Sequence, residues 1–357
     1  MVKKSMPSLE IQKIREALGS VKAPGSRLSI VEARQLARIE AQERSILVQL
    51  ELDQPNPLVE KSLRYQIEKA LEPLGIDLQI AVEIKQPAPK KNRIGTMLAV
   101  GSGKGGVGKS ALSVNLAIAF QKLGYSVGIL DCDIYGPSIP TMCGVADKKP
   151  LMFAGKIQPV EAFDLKIISA GFLVEPGQSI VWRGPMIHKL IQQFFNDVNW
   201  DGTDVLIVDL PPGTGDAPLS LSQTMPLTGA VMVSMPQHIS LIDVHKGISM
   251  FHQVKVPILG VIENMSQFVC PSCEHIAEIF DRGRVKEFCE QLQVPYLGEV
   301  PIEPKIRALS DEGRPFLLDF PDSAAGKAIQ SIARRLQPFI RTAEDSLASG
   351  QEIELVL

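Results

Sequence analysis

The sequence predicts an α/β fold in which a doubly wound, mainly parallel sheet follows a small N-terminal α/β domain. After residue 93, nearly continuous apolar runs alternate with helical segments, as is typical of parallel strands covered on both faces. A stretch rich in proline and cationic residues, without apolar periodicity, predicts a linker at residues 85–93. The chain has 357 residues, more than one small domain requires.

The composition narrows the expected location and partners. The hydrophobic content of 45% and the charged content of 22% are ordinary for a soluble globular protein. A formal net charge of -3 argues against a protein built to coat nucleic acid, so no nucleic-acid partner is expected. The N-terminus lacks the apolar segment of a secretory signal, and no run is long enough to span a bilayer. We therefore expect a cytoplasmic protein whose five cysteines stay reduced.

The small α/β domain is expected over residues 1–84. A short helix begins near Ser8, and the alternation in "SILVQLELD" is typical of a strand. Pro57 opens a second helix, whose apolar side carries Leu63, Ile67 and Leu71. A further alternating segment, "DLQIAVEI", completes the layer.

The larger domain, which carries the doubly wound sheet, is expected over residues 94–342, and a polar tail over residues 343–357. Its strands are expected at "TMLAV", "SVGILD", "LKIIS", "DVLIVDL", "AVMVSM" and "ILGVIEN". In a doubly wound sheet, ligands bind at the carboxyl ends of the strands. The polar residues that follow these runs are therefore the candidates for a site.

The first of these strands leads into a phosphate-binding loop. Gly103, Gly108, Lys109 and Ser110 match G-x-x-x-x-G-K-[ST], with a strand before and an amphipathic helix after. The glycines let backbone N–H groups surround an anion at the positive end of the helix. The candidate nucleotide-binding residues are Gly103, Lys104, Gly105, Gly106, Val107, Gly108, Lys109 and Ser110. Lys109 is expected to contact the β and γ phosphates, and the Ser110 hydroxyl to bind Mg²⁺.

Three aspartates at strand ends predict the rest of the phosphate chemistry. Asp131 and Asp133 follow one strand, and Asp209 ends another. We expect Asp131 and Asp209 to hold Mg²⁺ and its waters, and Asp133 to orient the attacking water. Phosphoryl transfer depends mainly on positioning and charge neutralisation, so this set predicts an enzyme that hydrolyses a nucleoside triphosphate.

A second lysine in the loop, Lys104, carries a first resemblance. The sequence "KGGVGKS" resembles the deviant Walker A class of P-loop NTPases, which includes the MinD and ParA ATPases and the nitrogenase iron protein. This resemblance implies that Lys104 reaches the nucleotide of a second chain in a homodimer, which makes it a candidate catalytic residue with Lys109 and Asp133. It also implies that Asn264 contacts the adenine base, although the sequence alone leaves guanine open.

Cys270 and Cys273 stand two residues apart in "FVCPSC", a spacing that can bind metal. A closed zinc or iron–sulfur site usually has four protein ligands. One alternative is a zinc site within one chain, completed by His275 and Cys289. Cys289, however, shares a helical stripe with apolar residues, which is typical of a core position. A redox dithiol is a further alternative.

Six motifs identify a family resemblance that covers about residues 93–314. They are "GSGKGGVGKS", "LDCDIYGPSIPTM", "VWRGPM", "DVLIVDLPPGTGDA", "ENMSQFVCPSC" and "LGEVPI". In order and wording they resemble the Mrp/ApbC family of iron–sulfur cluster carrier proteins. The resemblance implies that Cys270 and Cys273, with the same pair of a second subunit, bind a bridging 4Fe–4S cluster. It also implies ATP and Mg²⁺ as cofactors, cluster scaffold proteins and apo iron–sulfur proteins as partners, and a homodimer.

The first domain resembles the small iron–sulfur assembly domain often fused ahead of this ATPase. Where that domain commonly has a cysteine, this sequence has Asn56, so we expect a docking or regulatory module without a cluster.

The alternative functions are a MinD/ParA-like positioning ATPase, a metal-insertion GTPase and a pure scaffold. A helix expected in "AAGKAIQSIARRLQPFIRTAEDSL" places Ile329, Ile332, Leu336 and Ile340 on one face, as an interfacial membrane helix would. We favour a helix that closes the sheet, and expect no stable membrane association.

Overall fold

The structure is a computed structural model. In it the chain forms two compact units, Met1–Lys90 and Lys91–Leu357. The residues that it describes are 8–24, 26, 28–33, 35–42, 45–52, 57–74, 79–85, 94–153, 155–173, 184–270, 272–273, 275–280, 284–342 and 345. The expected linker beyond residue 85, the loop with Asn56, and the tail at 343–357 apart from Asp345 lie outside the described residues.

The first unit is a three-stranded sheet with two helices. Its elements are α1 (Ser8–Leu18), β1 (Leu36–Gln42), β2 (Ser45–Glu51), α2 (Pro57–Leu71) and β3 (Gln79–Lys85). Strand β2 lies in the middle, antiparallel to β1 and parallel to β3. Its inward residues Ile46, Val48 and Leu50 are fully buried and belong to one core with Leu63 and Ile67 of α2. Strand β1, "LARIEAQ", was not predicted, because Leu36 and Ile39 are its only large apolar residues and three of its seven residues are charged or polar.

The second unit contains the remaining elements. Its strands are β4 (Ile94–Ser102), β5 (Val127–Asp131), β6 (Leu151–Phe153), β7 (Lys156–Gln158), β8 (Val160–Ala162), β9 (Leu165–Ser169), β10 (Thr203–Asp209), β11 (Gly229–Ser234), β12 (Ile258–Val269), β13 (Ile276–Ala277) and β14 (Tyr296–Ile302). Its helices are α3 (Lys109–Lys122), α4 (Ile139–Met142), α5 (Gly184–Asn196), α6 (Asp216–Thr224), α7 (His238–Gln253), α8 (Arg284–Leu292), α9 (Pro304–Asp311), α10 (Phe316–Asp319) and α11 (Ala324–Leu336).

Nine of these strands form one sheet. From one edge, the order is β8, β9, β5, β10, β4, β11 and β12, with β14 on the far side of β12 and β13 at its end. The pairs are parallel except those of β8 with β9 and of β13 with β12. All six predicted strands are present, and the structure adds short strands and the edge strand β14. Strands β6 and β7 form a separate hairpin.

Both faces of this sheet are covered. In β4, Leu98 and Val100 belong to one core cluster with residues of α3 and α11. Met97 and Ala99, which alternate with them, belong to a second cluster with residues of α5 and α7. The four side chains are fully buried, which explains why the sequence of this strand is apolar without a break. The doubly wound fold class is confirmed.

Helix α11 is shorter than the sequence suggested. It ends at Leu336 because Pro338 cannot donate a backbone hydrogen bond, and a 3-10 turn over Gln337–Phe339 follows. Ile329, Ile332 and Leu336 are at most 1% exposed and pack in the core, so the helix closes the sheet. The expectation that Ile340 continues the helix was wrong. Among the described residues, no helix is long and apolar enough to cross a membrane.

Candidate nucleotide site and cysteine hairpin

The loop between β4 and α3 is tight on one side and open on the other. Gly106 and Gly108 have φ angles of +78° and +83°, which L side chains rarely adopt. A Cβ atom on Gly108 would stand 2.3 Å from Nδ2 of Asn264, whereas one on Gly106 would meet nothing within 4 Å. The loop ends at the N-terminus of α3, where the helix presents free N–H groups. This shape fits a loop whose backbone surrounds a phosphate.

Lys109, Ser110 and Asp209 meet at the start of α3. Nζ of Lys109 donates to Oδ2 of Asp209 at 2.6 Å, and the Ser110 hydroxyl donates to the same oxygen at 2.7 Å. The other carboxylate oxygen accepts a hydrogen bond of 2.6 Å from the Ser113 hydroxyl. Lys109 and Asp209 are 6% and 0% exposed, so their charges compensate each other in the interior.

Asp131 lies on the strand next to Asp209. Strands β5 and β10 pair in a register that places the two residues side by side, and the Ser169 hydroxyl donates to Asp131 at 2.8 Å. Burial, followed by the nearby charge of Asp209, raises the pKa of Asp131 to about 7. Asp133 is half-buried, and its carboxylate accepts from the Gly136 N–H at 3.3 Å. Burial also raises the pKa of Asp133.

The oxygen donors fit the cation expected from the sequence. Ser110, Asp131 and Asp209 offer a hydroxyl and two carboxylates at the same end of the sheet. Mg²⁺ prefers such oxygen ligands and commonly takes only one or two carboxylates, with the rest from water and phosphate. The residues present therefore fit a magnesium ion that accompanies a nucleotide.

The second loop lysine, Lys104, points to its own chain in this structure. Its Nζ donates to Oε1 of Gln237 at 3.2 Å, at the residue before α7. Its backbone carbonyl accepts a hydrogen bond of 3.0 Å from the Ser102 hydroxyl. The role of Lys104 in a partner's site stays a prediction.

Asn264 connects the phosphate loop to the strand that carries the cysteines. It lies in β12, is 7% exposed, and donates from Nδ2 to the carbonyl oxygen of Val107 at 2.8 Å. One N–H of the Asn264 amide is used in this bond to the loop. Its second N–H and its carbonyl oxygen are the groups left for hydrogen bonds to a base. The adenine role stays a prediction.

The cysteine pair lies in the hairpin formed by β12 and β13. Val269 pairs with Ile276, and the backbone N–H of Cys270 donates to the His275 carbonyl at 2.9 Å. Cys270 is half-buried and Cys273 is exposed. The backbone N–H groups of Ser272 and Cys273 hydrogen-bond to the sulfur of Cys270 and hold the pKa of that thiol below its usual range. Such donors stabilise a thiolate, which is the form that binds metal.

The other cysteines are buried core residues. Cys132, Cys143 and Cys289 are at most 2% exposed and pack within the apolar clusters of the sheet. Burial raises the pKa of each thiol, to about 12 for Cys143 and Cys289. Within the described ranges, no group of three or more His, Cys, Asp or Glu side chains is arranged to hold a metal. The zinc alternative with His275 and Cys289 therefore has no geometric support there.

Sequence reasoning missed three polar residues of the site. Ser113 and Ser169 hold the carboxylates of Asp209 and Asp131, and Gln237 holds Lys104. Ser169 ends an apolar strand, a signal that would have found it. Ser113 follows Lys109 by one helical turn and was equally accessible. Gln237 had no local signal, because its contact spans 133 residues.

Comparison with known proteins identifies the family of each part of the chain. Residues 93–337 match the family model described as NUBPL iron-transfer P-loop NTPase, and residues 11–84 match that of an iron–sulfur cluster assembly protein. The iron–sulfur cluster carrier protein of Helicobacter pylori is 36% identical over 353 residues, which is 96% of each chain. That of Aquifex aeolicus is 46% identical over 248 residues, 69% of this chain and 68% of that one.

Solved structures show the same fold. A nucleotide-binding protein from Archaeoglobus fulgidus, in complex with ADP, has a TM-score of 0.57 and 39% identity over 62% of this chain and 88% of that one. The MinD cell division protein of Aquifex aeolicus has a TM-score of 0.50 and 22% identity over 68% and 97% of the two chains, a likeness in fold alone. Since the first family model covers more than half of the sequence, this chain belongs to the NUBPL iron-transfer P-loop NTPase family.

Proposed function

We propose that this protein is a cytoplasmic, ATP-dependent carrier that binds a 4Fe–4S cluster between two copies of the chain and transfers it to apo iron–sulfur proteins. The observation that carries the proposal is the course of strand β12. It contacts the phosphate loop through Asn264 and leads within six residues to the accessible cysteine hairpin. Relatives that span nearly the whole chain bear the name iron–sulfur cluster carrier protein, which supports the same function.

The cysteine hairpin supplies half of a cluster site. Cys270 and Cys273 are two accessible thiols, and a 4Fe–4S cluster usually takes four. A second copy of the chain, related by a two-fold axis, supplies the same two thiols and completes the set. The cluster is cargo, so its ligands have to be reachable by an acceptor, which the exposure of Cys273 supports.

The phosphate loop supplies ATP binding and hydrolysis. Backbone N–H groups of residues 103–110 and the ammonium of Lys109 hold the phosphates, and Asn264 contacts the adenine. Ser110, Asp131 and Asp209 hold Mg²⁺, which neutralises phosphate charge. Asp133 orients the attacking water, and Lys104 leaves Gln237 to reach the nucleotide of the second chain. Catalysis then consists of positioning and charge neutralisation.

Partner recognition is proposed for the first unit. Its match to the iron–sulfur cluster assembly model supports a docking or regulatory module for scaffold and acceptor proteins. Because the apolar face of α11 is buried in the core, the structure offers no support for the positioning-ATPase alternative through this helix.

Anaerobic reconstitution with iron and sulfide tests the proposal. Iron counting and molecular mass are expected to give one 4Fe–4S cluster per dimer. Cys270→Ala and Cys273→Ala should each lose the cluster. Cys289→Ala is the matched control and should retain it, because Cys289 is a buried core residue. A cluster-loaded monomer, or a metal site lost in Cys289→Ala, would refute the half-site.

A transfer assay tests the link to ATP. Transfer to an apo-acceptor is expected to depend on ATP in the wild type and not in Lys109→Ala. Equal transfer rates with and without ATP in the wild type would leave a cluster protein without the proposed coupling.

A further inference from the structure

The regular pairing of strand β12 is interrupted between Asn264, which contacts the phosphate loop, and the cysteines. Residues 258–263 pair with β11 and residues 261–264 with β14, whereas residues 268–269 pair with β13 and Phe268 also pairs with Ile302 of β14. The register with β14 shifts between Asn264 and Phe268. Within this break, Met265 has a φ angle of +57°, in the left-handed region. Such a bulge redirects the chain that follows, and bulges are common beside active sites.

The strained residue Met265 lies beside the phosphate loop. A methionine in the left-handed region is disfavoured, because its Cβ approaches the following carbonyl oxygen. Its neighbour Asn264 is fixed by the hydrogen bond of 2.8 Å to the Val107 carbonyl. The terminal methyl of Met265 lies 3.7 Å from the place where a Cβ on Gly108 would stand. Strain of this kind persists only where the surroundings impose it, and the fixed position of the neighbouring Asn264 is one such constraint on the backbone.

The next residue carries a second cost. Ser266 is fully buried, and its hydroxyl has no hydrogen-bond partner among the residues described. A buried hydroxyl without a partner destabilises the arrangement that contains it. Two adjacent residues are therefore held in a costly arrangement, which narrows the free-energy gap between it and any arrangement that relieves the cost. This is the property that a switch segment needs.

The cysteines follow the direction that the bulge sets. Phe268 and Val269 pair with β13, and the Cys270 N–H bonds to the His275 carbonyl, so the hairpin is one hydrogen-bonded unit. A change of backbone direction at Met265 therefore turns the two thiols together, and it also shifts the pairing of Phe268 with Ile302 of β14.

We infer that Met265 is a positioning residue, which holds the bulge through which the nucleotide state of the phosphate loop sets the orientation of Cys270 and Cys273. The inference rests on the proposed function in one respect, since the orientation of the thiols would control cluster binding and release. The orientation itself is a property of Cys270 and Cys273, and it can be tested without a cluster.

The experiment uses the whole chain without a cluster and measures how fast iodoacetamide alkylates Cys270 and Cys273, with and without saturating Mg-ATP. Peptide mass spectrometry resolves the two sites, and buried Cys132, which should stay unlabelled in the folded chain, reports any unfolding. In the wild type, Mg-ATP should change the rate about fivefold or more, as for ordinary allosteric coupling. In Met265→Gly the response should fall towards none, because glycine adopts the left-handed region without strain. Met265→Leu keeps the Cβ and should respond as the wild type does.

Three results would overturn the inference: a wild-type rate indifferent to Mg-ATP, an undiminished response in Met265→Gly, or an equal loss in Met265→Leu, which would assign the effect to side-chain packing. Reconstitution of the same proteins separates this failure from failure of the carrier function. A chain that binds no cluster but shows the alkylation pattern retains the switch and loses the carrier.

Discussion

The ammonium of Lys109 lies 2.6 Å from the Asp209 carboxylate, and both residues are almost wholly buried. Removal of one partner leaves a buried charge, which costs about 3–5 kcal/mol in other proteins. We expect Lys109→Ala to lower the free energy of unfolding by about 3 kcal/mol, and Lys109→Met with Asp209→Asn to recover most of it. Both variants should bind Mg-ATP at least about tenfold more weakly. Urea unfolding and nucleotide titration measure the two effects separately, and wild-type affinity in Lys109→Ala would contradict the assigned role.

Asp131 should make stability depend on pH. Its pKa rises from 3.8 to about 7 in the folded chain, because it is buried beside Asp209. The folded state therefore holds a proton that the unfolded state has lost between these values, so stability should fall as pH rises from about 4 to about 7. The loss is on the order of a few kcal/mol, with no further contribution above that window.

Urea unfolding in chelator-containing, nucleotide-free buffer at several pH values measures this dependence. Asp131→Asn is the control, since an amide does not titrate, and its slope should be flatter in the same window. Equal slopes in the two proteins would show that Asp131 does not titrate there.

Gly108 and Gly124 form a matched pair. Both have positive φ, +83° and +95°, so alanine is strained at each, by about 1–2 kcal/mol. A Cβ on Gly124 meets nothing within 4 Å, whereas one on Gly108 would displace the Asn264 amide. Thermal unfolding should therefore show a loss in both variants. Nucleotide titration should show near wild-type affinity for Gly124→Ala and a loss of at least about tenfold for Gly108→Ala. Similar affinities would mean that the fit between Gly108 and Asn264 is not required.

Thiol reactivity should separate the two classes of cysteine. Iodoacetamide should label Cys270 and Cys273 in the native protein, and Cys132, Cys143 and Cys289 only after unfolding, because the last three are buried. Since hydrogen bonds lower the pKa of Cys270, its labelling should reach half-maximal rate below the pH at which an ordinary thiol does. Peptide mass spectrometry across a pH series checks both statements. Native labelling of Cys289 would contradict the core assignment.

Ser266 and Ser113 predict opposite effects of the same substitution. Ser266→Ala removes a buried hydroxyl that lacks a partner within the described chain, and should stabilise the fold by about 1 kcal/mol. Ser113→Ala removes a donor to the buried carboxylate of Asp209, and should destabilise it by about 1.5–3 kcal/mol. Urea midpoints measured in parallel decide between them. Destabilisation by Ser266→Ala would remove one support for the switch at Met265.

The phosphate loop, the strands and the cysteine pair were predictable because their signals are local. Buried parallel strands require continuous apolar runs, so all six predicted strands are present. The glycines of the loop can be recognised in the sequence, because its backbone needs positive φ angles that glycine adopts readily. The short strands β6, β7 and β8 escaped prediction, because three-residue segments carry no usable periodicity.

The sequence by itself determined the α/β class, the position of the phosphate loop and the presence of two closely spaced thiols beside a strand end. Only the tertiary structure placed Asp131 beside Asp209, Lys104 on Gln237, and Asn264 on the Val107 carbonyl 157 residues away. Strand order and register decide these contacts, and both depend on how distant segments pack rather than on the propensity of any one segment.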